Sequence, residues 1–192
     1  MRPKTMFNHM TIRNITISGR IACGATTLSR LLARKIGWKL INGGEKYRHY
    51  VKKYSIPLEK TTRVSDLYHR KLDDLIKKKL HEENRLIIES WLAGFDAQNI
   101  AGVFKVFVDC SVDSVRIDRL VNREGLTIQQ AKEHLLIRED ENIKKWEKLY
   151  HTRNFWNPGL YDLVIDTYTN GPSETLNLVL KTIGYNDNVL NS

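Results

Sequence analysis

The chain has 192 residues, with 31 Lys and Arg against 22 Asp and Glu, and a formal net charge of +9. This length suits one α/β domain with a sizeable core, and no apolar run approaches the roughly 20 residues of a membrane span. Its two cysteines, Cys23 and Cys110, have no metal-ligand spacing and make no disulfide framework, so a reducing, cytoplasmic setting is expected.

Residues 1–10 are basic and polar without a hydrophobic centre, and read as an N-terminal extension rather than a secretory signal. A first strand is expected over Ile12–Ser18. The residues that follow, Gly19, Arg20, Ile21, Ala22, Cys23, Gly24, Ala25, Thr26 and Thr27, form a G-x-x-x-x-G-x-T-T run. A strand entering a glycine-bracketed turn before the helical pattern Leu28, Leu31, Leu32, Ile36 is the layout of a phosphate-binding P-loop. Gly19 and Gly24 supply dihedrals that turn successive amides inward as an anion nest. The next helix adds unpaired N–H groups and about half a positive charge. Thr26 takes the position whose hydroxyl ligates Mg²⁺, and all nine residues of the run are candidate ATP contacts. Ala25 stands where the usual signature has lysine, so the loop keeps its frame without that charge.

A second strand is expected at Lys39–Asn42. After Gly43 and Gly44 comes Arg48, whose guanidinium can fork an acceptor phosphate. Residues 44–84 read as an insertion, with a helical stripe at Val64, Leu67, Tyr68, Leu72, Leu75, Ile76 and Leu80. Strand three, Arg85–Glu89, ends on Glu89, which suits a metal-water organiser, an acceptor-base contact or a structural partner of an arginine. Trp91, just beyond, suits either base stacking or packing.

Strand four is expected at Phe104–Asp109. Residues 112–149 are helical, broken at Gly125, with Thr127 as the cap of a second helix. Arg119, Arg123, Arg138 and Lys145 lie on this stretch and read as catalytic cations of a closing lid. Strand five is Leu163–Asp166, and residues 186–192 form a polar tail. Short continuous apolar strands alternating with helices give a doubly wound, five-stranded parallel α/β sheet, with ligands beyond the carboxyl ends of the strands. Residues 11–185 read as a single domain with an acceptor-binding insertion (44–84) and a helical lid (112–149).

The ordered series I-T-I-S-G, T-T, G-W-K-L-I-N-G-G-E-x-Y-R, L-I-I-E-S-W-L-A-G, N-R-E-G-L-T, R-E-D, K-K-W-x-x-x-Y and Y-D-L-V-I-D-T resembles the cytidylate kinase family, especially its archaeal-type branch. The resemblance runs from about residue 11 to residue 183. It implies a P-loop nucleoside monophosphate kinase fold, with Mg²⁺ and ATP as cofactor and donor and CMP or dCMP as acceptor. By the same resemblance Gly19, Gly24, Thr26 and Thr27 match the ATP-phosphate loop. Arg48 matches an acceptor-phosphate arginine, Arg119, Arg123 and Arg138 fall among the lid basic positions, and Lys144 and Lys145 match a basic pair just after them. Asp166 and Thr167 match the segment near the donor base. The archaeal-type branch often has threonine at the lysine position. Three departures stand out: Ala22 replaces a loop glycine, Ser90-Trp91 replaces glycine-arginine, and Glu141 replaces a small polar residue.

The expected partners are nucleotides. The +9 charge leaves nucleic acid as a less favoured one. Two other functions remain open at this point: a kinase for a different small acceptor, and a kinase-fold nucleotide-binding protein with weak or no catalysis that binds RNA or a protein.

Overall fold

The computed structural model describes residues 12–186. The basic extension at 1–10 and the tail beyond residue 186 lie outside the described residues. In chain order the first half runs β1 (Asn14–Gly19), α1 (Ala25–Ile36), β2 (Lys39–Asn42), α2 (Gly43–Lys53), α3 (Asp66–Glu82) and β3 (Leu86–Glu89). The second half continues with the single turn α4 (Ala93–Asp96), then β4 (Val103–Asp109), α5 (Asp113–Glu124), α6 (Ile128–Tyr150), β5 (Leu163–Asp166) and α7 (Pro172–Thr182). All five expected strands are present, with ends moved by at most two residues.

The strands form one parallel sheet in the order β2-β3-β1-β4-β5. All six residues of the central strand β1 are buried, so Asn14, Thr16 and Ser18, which alternate with Ile15 and Ile17, are polar residues held in the interior. Ile15, Ile17, Leu28, Leu32, Val106 and Ile165 join in the core between the sheet and helices α1 and α7. Full burial of each such side chain contributes about 1.5–3 kcal/mol. Asn14 is a buried polar exception, fully satisfied: its Nδ2 donates to the carbonyls of Leu80 and Glu83, and its Oδ1 accepts from Leu86 N–H. It thereby ties the end of α3 to the start of β3.

The chain leaves β1 for β2 on one side and later reaches β4 on the other. The reversal places a crevice at the carboxyl end of β1, and β1 runs there directly into the glycine-bracketed loop.

One expectation about a helix changes. Leu67 and Leu75 of the proposed stripe are exposed, 61% and 40%, whereas α3 buries His69, Asp73, Ile76 and Leu80. The buried face therefore carries two polar residues that an apolar pattern cannot mark. The run from Arg138 to Lys145 lies within one continuous helix, α6. Thr127 caps α6 as expected, in a full capping box with Gln130. No helix among the described residues is long and apolar enough to cross a membrane.

Candidate active site

The loop at residues 19–27 is shaped by space at one glycine and by dihedral at the other. A Cβ on Gly19 would sit 2.4 Å from Cys23 Sγ and 2.6 Å from the Val108 carbonyl oxygen, so only glycine lets the loop fold back on β4. Gly19 does not need a left-handed conformation. Gly24 does, at φ 99°, as the residue preceding α1. Ala22 also adopts φ 57°. An alanine therefore takes the glycine-like conformation itself, at about 1–2 kcal/mol, and the loop keeps its shape.

Three successive carbonyls of this loop are held from behind. Arg116 Nε donates to Ile21 O at 2.9 Å, Arg119 Nη1 to Ala22 O at 3.1 Å, and Thr167 Oγ1 to Cys23 O at 2.6 Å. In a planar trans peptide the N–H points opposite to the carbonyl, so these bonds turn the Ala22 and Gly24 amides away from the braces, while Cys23 N–H donates within the loop to Arg20 O at 3.4 Å. The first turn of α1 holds no acidic residue and no side-chain cap, which leaves its N–H groups for an anion. Cys23 is buried and its thiol is pushed up to about 12 by that burial, so it is a packing residue.

The loop forms one wall of a cleft of about 740 Å³ lined by six arginines, Arg20, Arg30, Arg48, Arg119, Arg123 and Arg138, and only two acids, Glu89 and Glu124. Arg48 rises from α2 beside Gly44; a Cβ on Gly44 would meet Arg48 Nη1 at 3.4 Å. Arg138, on α6, is buried, and its Nη1 has no hydrogen-bond partner among the described residues. Burial, then the neighbouring charges of Arg123 and Arg48, lowers its pKa to about 10. Guanidiniums held this close repel one another, and an anion between them relieves the repulsion. Within the cleft Glu124 partly plays that part: it lies 2.5 Å from Arg123, 3.8 Å from Arg138 and 3.1 Å from His134 Nδ1.

Glu89 ends β3, 6% exposed, with Oε2 unpartnered. Burial raises its pKa to about 7 against the lowering effects of Arg48 and of a hydrogen bond with Thr26. A carboxylate oxygen without a partner beside the loop's threonine hydroxyl is a donor set that suits Mg²⁺, which takes one or two protein oxygens and otherwise phosphate and water. No cluster of three or more His, Cys, Asp or Glu that could hold a metal occurs among the described residues, so a metal here would depend on the nucleotide's phosphates.

The structure brings most of the expected residues together, with three exceptions in role or position. Lys145 is outside the cleft: its Nζ donates to Val64 O and Asp66, pinning the start of α3 to α6. Helical position gave it a charge but not a direction. Arg119 lines the cleft, yet its guanidinium is committed to Ala22 O, Thr167 Oγ1 and Thr167 O. It is a brace between the loop and the β5–α7 connection. Arg20 is likewise engaged, gripping Glu139 through Nε and Nη2. Trp91 packs edge-on to Trp146 at 5.2 Å and tilted to Trp156 at 6.1 Å, and borders the cleft. Glu141 accepts from Thr62 N–H and hydroxyl and so joins α6 to the segment between α2 and α3.

Sequence reasoning missed Arg30 and Glu124 as contributors, and placed Arg116 among the lid arginines rather than as a brace of the loop. Arg30 lies four residues after Thr26, on the same face of α1. Glu124 falls inside the N-R-E-G-L-T motif, so both carried a readable signal. Arg116 is fully buried, held by Asp113 and Glu139, and nothing in its sequence surroundings marks it.

A P-loop on a five-stranded parallel sheet, facing an arginine-lined cleft, defines a P-loop kinase. The chain matches the cytidylate kinase-like family over residues 14–169 and belongs to that family. It is 32% identical over 178 residues to the cytidylate kinase of Pyrococcus furiosus, covering 91% of this chain and 90% of that one. Among solved structures it resembles an uncharacterised protein from Eubacterium ventriosum, with TM-score 0.64, 18% identity and coverage of 91% and 99%. It also resembles the shikimate kinase of Acinetobacter baumannii, with TM-score 0.56, 16% identity and coverage of 93% and 96%. At these identities the structural likeness speaks for the fold.

Proposed function

We propose that this kinase transfers the γ-phosphoryl group of ATP to CMP or dCMP. The observation that carries the reading is the opposition, across one cleft, of the braced loop at residues 19–27 and the guanidiniums of Arg48, Arg123 and Arg138. One wall suits the donor's phosphates and the other an acceptor phosphate. The similarity to archaeal cytidylate kinases supplies the pyrimidine acceptor.

In this reading the loop amides and the N-terminus of α1 hold the β- and γ-phosphates of ATP. Thr26 and Glu89 would hold Mg²⁺, which neutralises charge on the bridging oxygens when bound. Arg48 fixes the acceptor phosphate, and an oxygen of that phosphate attacks the γ-phosphorus in line as ADP departs. Arg123 and Arg138 stabilise charge on the transferred group, once Glu124 gives them up to it. No general base is required, because a phosphate monoester is largely ionised at neutral pH. Positioning and charge neutralisation provide most of the acceleration.

An acceptor panel tests the reading. The purified protein with Mg·ATP is expected to form CDP or dCDP faster than UDP or ADP from the matching monophosphates. A preference for AMP, or for a phosphate-free acceptor, would contradict it.

A further inference from the structure

Behind the main cleft lies a second cavity, of about 90 Å³, that shares Gly44, Arg48, Leu58, Trp91 and Arg138 with it. It extends from the arginine wall inward, between α2, α3 and α6. At about 30 Å³ per molecule of liquid water it has the room of roughly three waters, and a six-membered ring, which needs about 150 Å³, would lie partly in it and partly in the mouth that it shares with the main cleft. Its walls are mainly apolar and aromatic, with Trp91 and Trp146 among them.

Two polar side chains from α3, His69 and Asp73, also line it. They are four residues apart and so project from one face of the helix. Both are more than nine-tenths buried, at 7% and 8% exposure, and His69 Nε2 has no hydrogen-bond partner among the described residues. Tyr150, from α6, donates to Asp73 Oδ2. An apolar niche with a few convergent polar groups is the usual form of a small-ring site, and buried polar groups of this kind are costly unless they meet a partner.

We propose that this niche receives the base of the acceptor nucleotide, and that Asp73, aided by His69, selects a pyrimidine bearing an exocyclic amine. The inference rests on the nucleotide-acceptor reading above and adds the groups that choose the base. Tyr150 engages Oδ2, so a bound ring meets Oδ1. Burial, then the neighbouring Asp96, raises the Asp73 pKa. Oδ1 keeps its lone pairs when the carboxyl is ionised, and also when its proton is shared on the Tyr150 side. It therefore accepts from an amine in either state, as acidic side chains do from the amino group of cytosine. Burial holds His69 neutral, with a pKa near 4, so its ring offers one donor and one acceptor nitrogen. A ring carrying a carbonyl in place of the amine sets two lone pairs against Oδ1.

Calorimetric binding of CMP and UMP to the full chain, with a non-hydrolysable ATP analogue present, tests the assignment without relying on turnover. The wild type is expected to bind CMP at least tenfold more tightly than UMP. In D73N, Tyr150 selects the amide oxygen and turns the NH₂ toward the ring, so the CMP:UMP ratio should fall at least tenfold. Y150F, which leaves the carboxyl in place, should move the ratio the same way by a smaller factor. H69L should weaken both nucleotides while affinity for the ATP analogue holds.

An unchanged ratio in a D73N protein that melts normally and still binds the analogue would overturn the proposal, as would a wild type that binds neither nucleotide. A wild type that binds CMP selectively, loses that selectivity in D73N and yet makes no CDP would support the niche and refute the kinase reading. The two failures are therefore distinguishable.

Discussion

Arg119 Nη1 donates to the Ala22 carbonyl at 3.1 Å, across 97 residues of sequence. The same guanidinium binds Thr167 through its hydroxyl and its carbonyl, so one cation fixes the loop against the β5–α7 connection. With alanine at the usual lysine position, the proposed hold on phosphate would rest on amide orientation, and Arg119 is one of the groups that set the loop's shape.

Arg119→Lys keeps the charge and loses the fork. Hydrogen bonds to charged groups are worth about 1.5–3 kcal/mol each. ATP affinity should therefore fall about ten- to a hundredfold, readable by calorimetry. An unchanged ATP Kd would mean that the loop holds its shape without this brace.

Arg48→Ala should separate the two substrates. Arg48 forms no ion pair among the described residues, while its side chain borders both cavities. Its loss should lower kcat/KM for the acceptor by at least about a hundredfold, as expected for a charge-assisted phosphate contact, and leave ATP binding within about twofold. Equal loss of both affinities would place Arg48 in the donor site instead.

Glu89 makes a pH prediction. Its folded pKa of about 7 lies above the ordinary glutamate value of 4.5, so between these values the folded protein binds more protons than the unfolded chain. Its contribution to stability is therefore fully present below about pH 4.5 and declines as pH rises through 7. Activity should run the opposite way, because the ionised form is the metal-binding one, and should fall as pH drops below about 7. Glu89→Gln should weaken both dependences and raise the melting temperature at pH 8. A melting temperature at pH 8 equal to or below the wild type's would show that the buried carboxylate is compensated in the folded state.

Ala22→Gly should stabilise the protein slightly. The left-handed conformation costs alanine about 1–2 kcal/mol, offset by the greater unfolded-state freedom of glycine, about 0.5–1 kcal/mol. A gain of about 0.5 kcal/mol by denaturant titration is expected. A loss would mean that the Ala22 methyl contributes packing worth more than the strain.

The strands were legible because each is a short run rich in β-branched and other apolar residues bounded by turns or helical patterns, and the P-loop because its spacing is set by backbone geometry. Thr127 was legible as a cap because it follows the break at Gly125 and opens the next helical run. The roles of charged helix residues were not. Arg119, Lys145 and Arg138 stand on helices with similar surroundings, yet one braces the loop, one pins α3 and one faces the cleft; sequence gives spacing along a helix, not what packs against each face. His69 and Asp73 were hidden for a related reason: a helical stripe is read from its apolar members, and these two occupy it as polar residues, while the apolar Leu67 and Leu75 face solvent.

The most direct test follows the phosphorus atom. Purified protein is incubated with Mg²⁺, CMP and ATP labelled at the γ-phosphate, and the products are separated chromatographically. The account predicts label in CDP, at its β-phosphate, in amounts equal to the ADP formed. ATP bound with no label in any nucleoside diphosphate, or label released only as inorganic phosphate, would contradict it.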